Sequence, residues 1–533
     1  MILIIPILIL ILASLAIVIL QWIKPNMGLA WLISAGSSLI VWIVVLVLHW
    51  VQVNPIDIYS WRPIEGILTS LNFKMDLVAW PYAFSLVSVL LAAVLTAPMR
   101  FSYETAPRIW AGFLIITASG LLAILSGNAL TLILTWTVID ITEFILLIRS
   151  TQGRELIQSS VFTFAMKIIG TFFVLWAMAI SGLKGDELTF TNITPEVGVY
   201  ILIGSGFRLG IVPLHLPYSQ EVQFRRGLGT VLRLVSAASS LVVLGRMPPA
   251  VVSPNLAIFL LLFTALAGLY GSVRWLSSKD ELSGRPFWLI ALAGMAFACT
   301  IRGRPAASIT WGMMLVLSGG TIFLYSNRGR KFLLFPMLGF ISLTGLPFTP
   351  ASFGWYGLIL FPFSILDILF ILVYIILLAG YLKQVLRSGI SPKPPERWAE
   401  FIYPLGIGFL IAAQWIINIF GWPGSFTSGI WWASLTTTVS AISGGIIYHK
   451  FGSSIINFLM KRNWIFFFAN NGLKRIAGFA NFDWFYSLLR ILYSFFQRLV
   501  QVLALVLEGE GGILWALVLL VLMITVFGPG ASP

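Results

Sequence analysis

The chain has 533 residues, of which 59% are hydrophobic and only 10% charged, with a mean hydropathy of +0.97. A soluble domain carries about a quarter of its residues as charges, so this chain cannot coat itself against water and its solvent is lipid. The net charge of +14 does not imply nucleic acid, because the basic residues sit in short loops between apolar runs, as membrane orientation requires.

The first apolar run, 2–22, lacks a basic leader and an Ala-x-Ala-type cleavage site and reads as a retained helix, not a signal peptide. Fifteen further runs follow, ending at 512–528, each near the ~20 residues needed to span a bilayer. The expected fold is an all-α polytopic membrane protein with fourteen to sixteen spans. Threading the runs alternately collects Arg100, Arg149, Arg226, Arg328, Lys383 and most other basic residues on one side. Arg62, Lys74, Lys184, Arg302 and Arg304 fall on the other, with Arg246 at a helix end. That bias of about four to one follows the positive-inside rule and puts the N-terminus outside. The expected location is a prokaryotic inner membrane.

Charges inside spans are costly and mark function by default. In the 128–148 run, Trp136, Asp140 and Glu143 fall at i, i+4 and i+7 and share one helix face. Lys167 lies in the next span, Arg208 in the one after and Arg233 in the eighth. Together they form either a carboxylate–cation array for proton or sodium conduction or a static lock, because arginine keeps its proton. His215 either titrates near neutral pH or caps a helix break. Two spans are interrupted: 198–215 by Gly210, Pro213 and Pro217, and 332–360 by Gly345, Pro347 and Pro350. Proline removes a backbone donor, and the freed carbonyls need protein or water as partners.

From 451 to 507 basic residues interleave with aromatics, as expected of an amphipathic helix in the membrane interface. The lone Cys299 excludes disulfides within the chain and cysteine metal clusters, and three histidines leave little for a histidine site. No nucleophilic triad or phosphate loop is visible, so neither a metal nor a cofactor is expected. The chain is at most a non-catalytic membrane subunit.

Four stretches carry a resemblance. Phe73-Lys-Met-Asp-Leu is similar to Phe-x-Leu-Asp-Gly-Leu, and Arg208-Leu-Gly-Ile-Val-Pro-Leu-His resembles Lys-Ser-Ala-x-x-Pro-Leu-His. Asp280 and Gly294 keep the spacing of an Asp-x-Lys-Arg…His-x-Gly stretch, and Thr344 to Gly354 resembles a Gly-x-Pro-Pro-x-x-Gly-Phe break. These resemble the antiporter-like membrane subunits of respiratory complex I (NADH–quinone oxidoreductase), membrane-bound hydrogenases and Mrp-type sodium/proton antiporters. The resemblance covers about 70–360. It implies two inverted five-helix repeats at about 100–250 and 254–385, each with a broken helix, while the apolar runs themselves put N-terminal spans in 1–99 and further spans at 400–450. It also implies a C-terminal lateral arm, a final span, and packing beside sister subunits.

The departures are specific. Thr137 follows Trp136 where the family has glutamate, and the family lysines fall on Arg208, Tyr356 and near Trp311. The histidine after the first break falls near Leu232 or Arg233. The resemblance therefore implies a subunit contributing to proton or sodium translocation with much of its charged relay missing. The alternatives are a non-conducting scaffold of such a complex, or part of an uptake system for a small solute such as inorganic carbon.

Overall fold

The computed structural model describes residues 2–23, 27–51, 53–58, 70–100, 107–150, 154–185, 188–215, 226–387 and 396–461. The chain divides into two compact units, 1–449 and 450–533. The expected arm beyond 461, the final span at 512–528, and Pro217 lie outside the described residues.

Among the described residues sixteen α-helices follow in order: α1 Ile5–Ile23, α2 Met27–Val47, α3 Ala79–Thr96, α4 Pro107–Ile124, α5 Ala129–Ser150, α6 Arg154–Leu183, α7 Pro195–Leu209 and α8 Arg226–Arg246. Then come α9 Pro254–Ser277, α10 Arg285–Ile301, α11 Pro305–Leu324, α12 Leu334–Leu343, α13 Trp355–Leu358, α14 Ile365–Leu386, α15 Arg397–Phe420 and α16 Trp431–Lys461. The protein is an all-α polytopic membrane protein. The first fifteen apolar runs each coincide with a helix, the long 332–360 run with the broken pair α12 and α13. Fewer than sixteen of these helices are long spans. Ten in the described residues are long and apolar enough to cross a membrane, and α4 and α10 are shorter apolar helices. Of the others, α7, α12 and α13 are cut short by the breaks. One short antiparallel ribbon, Ile56–Ile58 with Leu71–Phe73, interrupts the helical pattern.

Burial separates the helices into two kinds. α8 and α11 are enclosed along their whole lengths and α3 nearly so, whereas α1, α2, α6 and α9 bury one face only. On α1 the outward stripe is Leu8, Leu12, Leu15 and Ile19, each about half exposed and all apolar. An unbroken apolar face at helical spacing suits lipid or an apolar partner helix. Enclosed helices pack on all sides, α8 against α3, α4 and α11, and α11 against α3, α8 and α10. Polar groups in the centre therefore meet protein on every side.

Both breaks follow from local backbone. α7 ends where Gly210 takes the left-handed conformation (φ 73°), and its N–H bonds back to the carbonyls of Gly206 and Phe207. α12 ends before Gly345 (φ 69°), and the chain runs irregularly through Pro347 and Pro350 to α13. Phe348 is also left-handed (φ 65°), a conformation costing a non-glycine residue about 1–2 kcal/mol. The last turn of α15 and the α15–α16 connection hold it there. Phe348 N–H donates to the Thr427 carbonyl (2.9 Å), and Asn418 Nδ2 donates to the Phe348 carbonyl (2.9 Å). Protein thus supplies the partners that lipid cannot.

Candidate functional site: a buried charge array in the first half

The array is assembled by four helices. α6 and α7 approach closely because Gly170 and Gly204 face each other. A Cβ on Gly170 would lie 2.6 Å from the Gly204 carbonyl oxygen and 2.8 Å from Arg208 Cγ. This contact lets Arg208, on the last turn of α7, reach across α6 to α5. Its Nη1 and Nη2 donate to Asp140 Oδ2 and Oδ1 at 2.6 and 2.8 Å, a two-point pair buried to 1–2% exposure. The remaining donors are also used: Nε to Ser240 Oγ (3.2 Å), and Nη1 to Thr171 Oγ1 (3.2 Å) and the Lys167 carbonyl (3.4 Å). The guanidinium lies 4.2 Å from the Trp136 ring centroid.

One turn along α5, Glu143 takes a second set of partners. Lys167 Nζ donates to Glu143 Oε2 (2.5 Å) and to Ser236 Oγ (2.5 Å), and Arg233 Nη1 donates to Glu143 Oε1 (3.3 Å). These side chains are also 1–2% exposed. Asp140, Glu143, Lys167, Arg208 and Arg233 therefore form one contiguous array. His215 stands apart at the first break, buried, with Nδ1 donating to the Pro213 carbonyl (2.8 Å) and its N–H to that of Gly210 (3.2 Å).

The second break holds no such array among the described residues. Trp311 on α11, Trp355 on α13 and Tyr374 on α14 meet edge-to-face, with ring centroids 5.1–5.8 Å apart. Trp311 Nε1 donates to the Gly354 carbonyl (3.1 Å), and Tyr374 Oη donates to that of Leu343. All three rings are fully buried. Tyr356 lies off this cluster, 41% exposed, beside a cavity of about 630 Å³ between the α10–α11 turn and the chain after α13.

No protein-family model matches the chain, and no curated protein matches it in sequence. Solved structures do. The chain is similar to a chain of the Mrp complex from Dietzia sp. DQ12-45-1b, with TM-score 0.71 and 15% identity, covering 100% of this chain and 63% of that one. It is similar to a chain of the membrane-bound sulfane sulfur reductase, an archaeal respiratory membrane complex, with TM-score 0.67, 15% identity and coverage of 97% and 99%. A chain of respiratory complex I from Thermus thermophilus gives TM-score 0.56, 17% identity and coverage of 78% and 98%. The chain shares the fold of these membrane-complex chains. At these identities the likeness is one of fold, and the chain spans 63% of the length of the Mrp chain.

Within this fold, three further carboxylates tied to arginine carry structure that the sequence did not single out as sites. Arg246, the last residue of α8, donates to Asp76 Oδ2 (3.0 Å) and Oδ1 (3.3 Å) and to the carbonyls of Ser126 and Ile124. Asp76 also accepts the Ala79 N–H (2.7 Å), which caps the start of α3. Arg302 joins Asp367, which closes a capping box with Ser364 at the start of α14. Glu281, in the α9–α10 turn, receives Arg226 (2.7 Å), Arg328 (2.8 Å) and Arg387 (3.7 Å), so one carboxylate ties α8 to three segments of the second half. Burial pushes the Glu281 carboxyl up, but Arg226 and Arg328 outweigh it and hold the carboxyl below its ordinary value of 4.5. A depressed carboxyl stabilises the fold above its unfolded value, and that stability is lost as pH falls through the folded value. In detergent, the unfolding temperature of the wild type should fall on acidification below about pH 4.5. Glu281→Gln should unfold at a lower temperature near neutral pH and show a smaller acid drop. Equal acid drops in the two proteins would deny Glu281 this role.

Proposed function

We propose that the chain is a membrane subunit of a complex I-like or Mrp-like assembly, packed beside sister membrane subunits, that contributes to proton or sodium translocation through its first-half array. The observation that carries the reading is the Lys167–Glu143 pair, buried between α5 and α6 at 2.5 Å. Arginine does not release its proton, so Lys167 is the one cation of the array that can. The position where the resemblance places a lysine holds Arg208, and the pair formed by Lys167 and Glu143 replaces the missing relay one helix away. The same reading keeps the division into repeats at about 100–250 and 254–385, an external N-terminus and a prokaryotic inner membrane.

A second reading, a non-conducting scaffold, is favoured by the second break, where Trp311, Trp355 and Tyr374 fill the space between helices with ring contacts. Purification of the tagged chain from its native membrane in mild detergent tests the common ground of the two readings. Sister membrane subunits should co-purify in fixed ratio, and a chain that leaves the membrane alone sinks both.

A further inference from the structure

We infer that the cavity beside the second break seats one anionic phospholipid, with an acyl chain inside and the phosphate on Arg304. The cavity holds about 630 Å³, within the range of ligand sites, and lies between the α10–α11 turn and the chain after α13. Ala307, Phe353, Ile359, Phe361 and Ile430 give it apolar walls. No carboxylate is among its lining residues, and its single charge is Arg304. That side chain is exposed and makes no hydrogen bond or ion pair with the described residues. Its neighbour Arg302 differs, being committed to Asp367 and the Leu358 carbonyl.

Level and size together select a lipid. The 20 residues of α11 make it about 30 Å long, the thickness of the hydrocarbon core. Arg304, just before its first turn, therefore stands where headgroup phosphates lie. Phe353 and Tyr356 flank Gly354, whose carbonyl takes Trp311 Nε1, and Trp311 is about 10 Å further along α11 than Arg304. The charge is at the mouth and the apolar walls run inward, which is the polarity of a phospholipid. A spanning helix of a partner does not fit, because at 10–12 Å across about one turn of it would fill the cavity.

The headgroup follows from the charge. A guanidinium takes two phosphate oxygens at once, and Arg304 has its donors to give. With no carboxylate at the mouth to receive an amine, the headgroup carries net negative charge, as in phosphatidylglycerol. Phe361 and, next to Ile430, Trp431 are largely exposed and offer the second acyl chain an apolar surface. The inference is separate from the translocation reading: a seated lipid packs the chain that follows the break whether or not the protein conducts ions.

The test uses the full chain, purified in mild detergent with whatever subunits accompany it, and a phosphatidylglycerol carrying a photoreactive diazirine on one acyl chain. After illumination, labelled peptides are mapped by mass spectrometry. Label should fall on 353–361 and on Ile430, displaced by plain phosphatidylglycerol but not by equal phosphatidylcholine or by inorganic phosphate. Arg304→Gln should cut labelling at a subsaturating concentration about fivefold, the worth of one arginine beside an anionic lipid, and Arg304→Lys should keep most of it. Ala306→Trp, which narrows the mouth from an exposed position, should lose the label. Both positions are exposed, so the variants should be recovered in normal amount. Four results each overturn the inference: no label in the cavity of the wild type, equal displacement by phosphatidylcholine, displacement by inorganic phosphate, or unchanged labelling of Arg304→Gln.

Discussion

Arg208→Leu should destabilise the chain by about 3–5 kcal/mol, the cost of removing one partner from a buried ion pair. The substitution strands Asp140, whose two oxygens hold Arg208 at 2.6 and 2.8 Å in a region with 1–2% exposure. It also removes the bonds to Ser240 and Thr171 and the contact with Trp136. Most of the penalty is the uncompensated carboxylate, so Arg208→Leu with Asp140→Asn should recover part of the loss. Arg208→Lys keeps the charge but replaces a planar fork with a point donor, and its stability should lie between wild type and Arg208→Leu. Unfolding temperature in detergent and the amount of assembled complex measure all four proteins. Wild-type stability for Arg208→Leu would show that the pair does not hold the break. Normal assembly with lost ion translocation would move Arg208 into the conducting path.

Trp311→Ala should cost about 3–5 kcal/mol, the range for truncating a large buried aromatic. Trp311 sits against both Trp355 and Tyr374, and its Nε1 satisfies the Gly354 carbonyl at the re-entry of the broken helix. Gly354 must be glycine for this approach, since a Cβ there would lie 2.5 Å from the Trp311 ring. Removing the ring opens a cavity and takes the Nε1 donor from that carbonyl, which also meets Cys299 Sγ at 3.9 Å. The loss should appear as reduced assembly, with proton uptake per assembled complex unchanged. A selective loss of uptake in normally assembled complex would place Trp311 in a path, against the view that the second break is packed shut.

Much of the fold was legible because lipid imposes simple demands on sequence. Apolar length marks spans, and the breaks showed themselves through Gly210, Pro213, Gly345, Pro347 and Pro350, residues a continuous helix would not keep. The partners inside the array were not legible. Asp140 and Glu143 stand three residues apart on α5, and either could face Arg208. Rotation and spacing of α6 and α7, set by the Gly170–Gly204 approach, decide that Arg208 takes Asp140 and Lys167 takes Glu143. The peripheral pairs were hidden for another reason. Asp76, Glu281 and Asp367 read as loop or helix-start residues, and what buries them is distant chain. Signals did exist: Ser364-x-x-Asp367 is a capping pattern, and Arg246 ends an otherwise apolar run. The packing of Trp311 against Trp355 and Tyr374 leaves no local mark, because a buried aromatic reads like any other apolar residue in a span.

The Lys167–Glu143 pair is tested most directly by Lys167→Arg. Arginine keeps the positive charge beside Glu143 and the means to bond Ser236, but does not release its proton. Proton uptake by vesicles containing the assembled complex, normalised to the amount of this chain, separates the two roles the pair could play. Normal assembly with uptake reduced at least about tenfold is the predicted result. Wild-type uptake in the assembled Lys167→Arg complex would contradict it and leave the array a fixed structural lock.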